Sequence, residues 1–507
     1  MGAVVGEVRI DTRDIYDLSD PDENGALYRL ANRLHRRTRP ETVAQQLLFR
    51  SGERVSARRI DDSERLLRGS GYLHDVVIRP VAVHDGIVDI EVITRDAWTL
   101  DPGFSVARSG GSNSARFYVN DKNLLGHGVS VGVSRSTNVD RSGTAFSFAD
   151  KHAFGPWTGL EASFGRLADG RQWSVAVGRP FYSPAAPWAA GVSASHSDVL
   201  TSVYDKGERI SSYRSRQDAV HGSLGFSRPG EGRWVQRYTA GFDHQANRYE
   251  VEAGQPPPPD FLPEDRSFSG PFVGYEVSDE IYEKVVNRDQ LGRPEYFALG
   301  TKATAQLGRS AALLGATMDS WLLSASVSRG LHVLRSHSLF ASASLATRVE
   351  DGGRRNQLIS GSFRYFIPQR HDAVFAISGS ADLYRHPDRP APLQIGGDNG
   401  LRGYPLSFQS GERRFLLTVE QRVYTDWYPY RLFRLGGALF ADAGRAWHGT
   451  GERTADERTL TDAGIGLRLQ NPRSASGSVV HVDLAFPANA RNEVKSFQVL
   501  FKSYAAF

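Results

Sequence analysis

Cysteine is missing altogether from the 507 residues. A disulfide scaffold and a thiolate metal site are thereby excluded, and the absence suits a chain that folds outside the reducing cytosol. No apolar run reaches the ~18 residues that a transmembrane helix needs, and the mean hydropathy is −0.39. An excess of one charge is also missing: 61 Lys and Arg face 57 Asp and Glu, evenly spread, which argues against a nucleic-acid partner. The start, Met1-Gly2-Ala3-Val4-Val5-Gly6, has no basic stretch and no apolar leader core. The expectation is therefore the mature part of an exported chain. Catalytic constellations are wanting too. The 14 histidines form no H-x-x-x-H pair suited to zinc. Gly128-Val-Ser130-Val-Gly132 spells a nucleophile elbow, but inside an alternating strand instead of a strand-to-helix turn. Neither an enzyme nor a cofactor or metal site is expected.

What is present divides near Trp98. Over residues 1–98 the pattern is strand, helices, strand, strand. Val4 to Ile10 reads as a strand. Leu27, Leu30 and Leu34 share a helix face, with Arg33, Arg36 and Arg37 around the helix end, where cations suit the dipole. The Arg-rich stretch Arg29–Arg39 reads as a solvated face, with anionic lipid or a client as the other option. Pro40 restarts a helix carrying Val43, Leu47 and Leu48. Ser56 caps a third helix that ends at Gly69 or Gly71. Asp75–Val83 and Ile87–Thr94 form a hairpin turned at Asp85-Gly86. About 95 residues suffice for one small α/β core.

Residues 99–507 repeat with period two. Val129, Val131 and Val133 alternate with Ser130, Gly132 and Ser134. Val480, Val482, Leu484 and Phe486 alternate with His481, Asp483 and Ala485. One apolar and one small or polar face is the lipid-out, lumen-in pattern of a transmembrane β-barrel, although a soluble sandwich alternates likewise. Three features favour the barrel. The chain ends in an aromatic strand with Phe501 and Phe507 on one face, where soluble chains fray. Tyr424, Trp427, Tyr428 and Tyr430 cluster as in an interfacial girdle. Connections alternate in length: short at 121–126, 228–231, 368–370 and 471–475, long at 247–266, 387–411 and 449–459, with 281–295 as an exception. The segments number about 20, and an even number returns both chain ends to one side. Pro256–Pro259 would stiffen a long outside loop. His481 and Asp483 read as solvated pore lining.

The most informative stretch is Ile395 to Tyr404, inside a loop at 386–411. Gly396, Gly397, Gly400 and Gly403 permit tight positive-φ turns, so the loop can fold back into the lumen. Arg402 would then need a carboxylate, and parity puts Glu420 and Asp442 on the lumen face. The same spacing also fits an exposed Gly-rich loop with a solvated arginine.

Leu401-Arg402-Gly403-Tyr404, Val419-Glu420-Gln421-Arg422 and Phe440-Ala-Asp442-Ala-Gly444 resemble the signature of the BamA/TamA-like outer-membrane assembly factors and the related two-partner secretion transporters. The resemblance implies that Arg402 of an inward-folded loop locks onto Asp442, with Glu420 as a second candidate. Asp121-Lys-Asn123-Leu-Leu-Gly126-His-Gly128 looks like the turn after the second barrel strand of that family. Gly71-Tyr72 resembles the helix-to-strand junction of a POTRA domain, and residues 1–98 are similar to one such unit. The family implies 16 strands, fewer than the pattern shows, with the excess before the loop and five strands after it. It also implies an outer-membrane location with the N-terminal domain in the periplasm, and assembly or translocation of client polypeptides. The clients would be unfolded or extended. The barrel would contact outer-membrane lipids, and accessory periplasmic or lipoprotein subunits would be possible partners. A dedicated secretion transporter and a passive channel are the alternatives. Gly103–Ser109, short and rich in Ser and Gly, would make a weak seam with the last strand.

Overall fold

The computed structural model describes residues 3–504 except 110–111, 230–233, 253–261, 280, 293, 335, 371, 389–392, 398–399, 430–432, 450–456, 473–478 and 490–492. Phe507, Pro256–Pro259 and Tyr430 therefore lie outside the described residues.

The N-terminal domain is a three-stranded sheet in the order β1-β3-β2, from β1 (Val4–Arg13), β2 (Leu73–His84) and β3 (Ile87–Asp96). β1 runs parallel to β3, while β2 and β3 are antiparallel. Their turn needs Asp85 at φ 50° and Gly86 at φ 77°, as Asp-Gly hairpins do. Three helices follow β1: α1 (Ala26–Leu34), α2 (Pro40–Ala44) and α3 (Ala57–Arg68). Ser56 caps α3, its hydroxyl accepting from the Arg59 N–H. Val5, Val43, Phe49, Leu67, Tyr72, Leu73, Val76, Ile90 and Val92 form the core. Leu27, Leu30 and Leu34 do share a face, but that face is exposed, because α2, α3 and the sheet already close the core without it.

The remaining chain forms one antiparallel sheet whose strands follow in sequence order from Leu100–Ser109 to Gln498–Tyr504. Arg266–Asp279 and Ile281–Val286 pair in turn with the same partner, Pro294–Ser310, and so act as one strand. Counted this way the described sheet has 20 strands. The count of 16 implied by family resemblance is thus replaced by the count from periodicity. Five strands follow the loop at 386–412.

Parity decides what faces outward. Leu417, Leu439, Ile465, Phe486, Phe497 and Val499 are exposed, while Glu420, Asp442, Asp462, Arg468, Asp483 and Gln498 are buried inside. An apolar outer surface over a polar interior is the pattern lipid requires. Tyr424 shares parity with Glu420 and points inward, buried, so it is no part of a girdle; Trp427 is exposed. Connection lengths alternate only in part. Two-residue turns occur at the loop end too, at 168–169, 206–207 and 351–352.

Candidate functional site: a lumen lock

The loop that leaves Ala373–Arg385 turns back into the barrel before Arg413–Tyr424 begins. It carries its own small ladder, Leu393–Ile395 paired with Gln409–Gly411. Gly400 sits at φ +124°, and a Cβ there would lie 2.7 Å from Leu416 Cδ2, so glycine is required for conformation and for room. Ile395, Leu401, Tyr404 and Phe408 pack with Ala446 and Leu460 into an apolar cluster beneath the loop.

At its tip Arg402 meets three carboxylates. Its Nε and Nη2 donate to Asp442 Oδ2 and Oδ1 at 2.7 and 2.9 Å, a bidentate fork. Its Nη1 donates to Glu420 Oε1 at 2.7 Å and to Asp483 Oδ2 at 3.3 Å. The guanidinium carbon stands 3.4 Å from the Phe440 ring centroid, so the cation is stacked as well as paired. Arg422 and Arg468 balance the remaining negative charge. Arg422 Nε donates to Glu420 Oε2 at 2.8 Å, and Arg468 donates to Asp483. A Cβ on Gly466 would fall 2.0 Å from Asp483 Oδ1, so the lack of a side chain there admits that pair. Buried charges persist only when paired, and here three arginines share three carboxylates across four successive strands.

The next two residues fix the approach. The Gly403 N–H donates to Asp462 Oδ2 at 2.9 Å, and a Cβ on Gly403 would stand 2.7 Å from Asp462 Cβ. Tyr404 is fully buried, and its hydroxyl donates to the Thr461 carbonyl at 2.9 Å. The structure thus brings Arg402, Gly403, Tyr404, Asp442 and Glu420 together. Asp483 belongs with them, so it is not solvated pore lining. Phe501 lies apart on the last strand, half-buried. Asp462 and Arg468 escaped the sequence reading, although their parity with Asp442 and Asp483 places them on the lumen face.

Gly71 and Tyr72 lie at a different place, the contact between the N-terminal domain and the barrel. Gly71 has φ 80° and delivers Tyr72 into the core. Gln46 bonds the Tyr72 hydroxyl, and burial pushes that phenol up to about 12. The turn Asp121–Gly128 docks here. The Arg39 N–H and the Thr42 hydroxyl donate to the Gly126 carbonyl at 3.0 and 2.9 Å. Asn123 donates to Thr38 Oγ1 at 2.8 Å and accepts from the Gly128 N–H at 2.6 Å. Thr38 in turn donates through its N–H and hydroxyl to Asp96 at 2.7 and 2.8 Å. Part of the Arg-rich stretch is therefore an internal interface.

No family model and no curated protein matches the chain. Solved structures do. CdiB from Escherichia coli aligns over 100% of this chain and 77% of its own, with 14% identity and a TM-score of 0.53. CdiB from Acinetobacter baumannii aligns over 99% and 74%, at 13% identity and TM-score 0.47. BamA from Haemophilus ducreyi lacking POTRA domains 1–3 aligns over 99% and 85%, at 16% identity and TM-score 0.44. The Escherichia coli alignment shows the fold: the chain folds as the CdiB β-barrel does.

Proposed function

We propose that the chain is an outer-membrane transporter of polypeptides: a closed barrel with one POTRA domain in the periplasm, acting on extended clients without cofactor or nucleotide. The observation that carries this reading is the Arg402 lock. A loop from the far end is held inside the barrel by a buried bidentate ion pair, so the lumen is closed by a part that one charge contact can release. Lipid covers the outward Leu, Phe and Val residues. The free edge of β2, with Val77, Val81 and Val83 exposed, offers a client strand a template for β-augmentation. The seam between Leu100–Ser109 and Gln498–Tyr504 is where the barrel opens sideways. Accessory periplasmic subunits would bind the same domain.

Insertion of many outer-membrane clients and secretion of one dedicated partner are about equally supported. Nothing in the lock distinguishes them. Depleting the chain in its own host and measuring the outer-membrane proteome separates the two. A broad fall supports assembly, and loss of one secreted protein supports dedicated secretion. Steady conductance in planar bilayers, with no client affected, would leave only a passive channel.

A further inference from the structure

A second segment enters the lumen, from the N-terminal-domain end. Strand 234–251 stops pairing at Trp234 with Asp279, and strand 320–332 stops at Gly330 with Gly300. Past those points Ile281–Val286 and Pro294–Leu299 pair only with each other. The hairpin therefore leaves the sheet at Asp279 and Gly300. It folds inward instead of standing out in water. Leu291, at its tip, is fully buried against Phe366, Val374, Tyr424 and Val479. Val479 belongs to a strand eight places further around the sheet from Pro294–Ser310, so the tip reaches across the lumen.

The tip is preorganised. Glu295 accepts from the Arg288 and Asp289 N–H groups at 2.9 and 3.0 Å, and Asn287 Oδ1 accepts from the Gly292 N–H at 2.6 Å. Its outward contacts are ionic and aromatic. Arg288, buried, donates to Ser338 Oγ at 3.1 Å and lies 5.6 Å from the Phe366 ring centroid. Asp289 accepts from Arg364 Nη1 at 3.0 Å and from Arg422 Nη1 at 3.1 Å. Arg422 also binds Glu420, whose other oxygen holds Arg402. On the opposite flank, Arg65 of α3 stacks 4.1 Å over the Tyr282 ring at the hairpin base.

We propose that the 281–299 hairpin is a second lock, coupled to the Arg402 lock through Asp289–Arg422–Glu420 and held at its base by the N-terminal domain through Arg65–Tyr282. A client that pulls on the N-terminal domain loosens the hairpin first. Arg422 is then left with Glu420 alone, and Glu420 holds Arg402 less firmly. Asp289 and Arg422 are positioning residues for the outer loop. The coupling rests on the transporter reading only for its purpose, not for its existence.

The cysteine-free chain permits a direct test. Ser338→Cys reports on the barrel wall under the hairpin, and Ser407→Cys reports on the outer loop; both serines are buried. The full chain in detergent micelles is labelled with a bulky maleimide and the rates are compared. Asp289→Ala with Leu291→Ala is expected to speed labelling at Ser338→Cys by about tenfold, equal to ~1.4 kcal/mol of local opening. The same change must speed Ser407→Cys severalfold. Coupling free energy is reciprocal, so Arg402→Ala must speed Ser338→Cys. Tyr282→Ala should move both reporters in the same direction. Heat-modifiable gel mobility checks that each variant keeps its barrel. An unchanged Ser338→Cys rate overturns the hairpin lock. Acceleration at Ser338→Cys with none at Ser407→Cys overturns the coupling. A chain that labels as expected but transports no client leaves this inference standing and removes the transport reading.

Discussion

Two sectors of the barrel use their inner faces differently. In Ser320–Arg385 a band of inward positions is small: Ser324, Ser326, Ser328, Ser342, Ser344, Ser360, Ser362, Ser378 and Ser380. Ser342 and Ser362 bond each other at 2.8 Å, and Ser326 bonds Thr304 at 2.7 Å. Ser328, Ser342, Ser362, Ser378 and Ser380 border a cavity of about 910 Å³. In Arg413–Pro487 the inward positions are Glu420, Arg422, Asp442, Asp462, Arg468 and Asp483, and the space before them is filled. Serine is satisfied by a neighbour or by water and asks for nothing else. A buried carboxylate demands a cation. The identity of the lumen residue therefore tells whether a wall faces a void or a plug.

The strongest way to break that contrast is to remove the plug's cation. Arg402→Ala strands Asp442 while Glu420 keeps Arg422 and Asp483 keeps Arg468, and should cost ~3–5 kcal/mol of local stability. Client transport is expected to fail while the barrel still migrates as folded on a cold gel. Wild-type behaviour in both assays would mean the lock is idle. Gly403→Ala tests the same contact by steric means. Its methyl would meet Asp462, and overpacking of this kind costs about 1–3 kcal/mol. Protease nicking within 393–411 should rise, and a silent substitution would show that the loop approaches less closely. Asn123→Ala leaves the lumen intact and removes bonds at the domain contact, at a cost of about 1 kcal/mol. Solution scattering should then show a wider spread of N-terminal-domain positions. The smallest effect belongs to pH. The Tyr72 phenol titrates higher in the folded chain, at about 12 against an ordinary value of 10.0, because burial disfavours its anion. Its contribution is present below pH 10, and is lost as pH rises toward 12. Tyr72→Phe should flatten alkaline unfolding over that window as followed by circular dichroism.

The lock was legible because a strand's parity is rigid. Once Leu417 and Leu439 are placed outward, Glu420 and Asp442 have one direction left, and the glycines around Arg402 make the return of the loop possible. Tyr424 obeys the same parity, yet its position among Trp427 and Tyr428 suggested a girdle; composition misled where register would not have. The hairpin was legible only as a long turn that broke the alternation of lengths. Asn287, Arg288, Asp289 and Glu295 read as an ordinary polar turn, because their partners lie in distant strands and no local period marks them. The turn at Asn123 was recognised by its motif but not as an interface. Its partners Thr38, Arg39 and Thr42 come from another domain, and pairing across domains leaves no trace in either segment alone. On α1, apolar periodicity identified the helix and its leucine face but not that the face lies exposed.

The strand count has a geometric consequence. Strands ~4.8 Å apart and tilted by ~40° give 20 of them a girth of about 125 Å, against about 100 Å for 16. Cross-section grows as the square of girth, so the wider wall encloses about half as much area again. One returning loop scaled to the narrower ring leaves a crescent unfilled. The hairpin at 281–299 occupies part of that crescent, and the serine-lined space beside it is the remainder. Barrels of this type that gain strand pairs should therefore gain stuffing with them, and the two should be lost together.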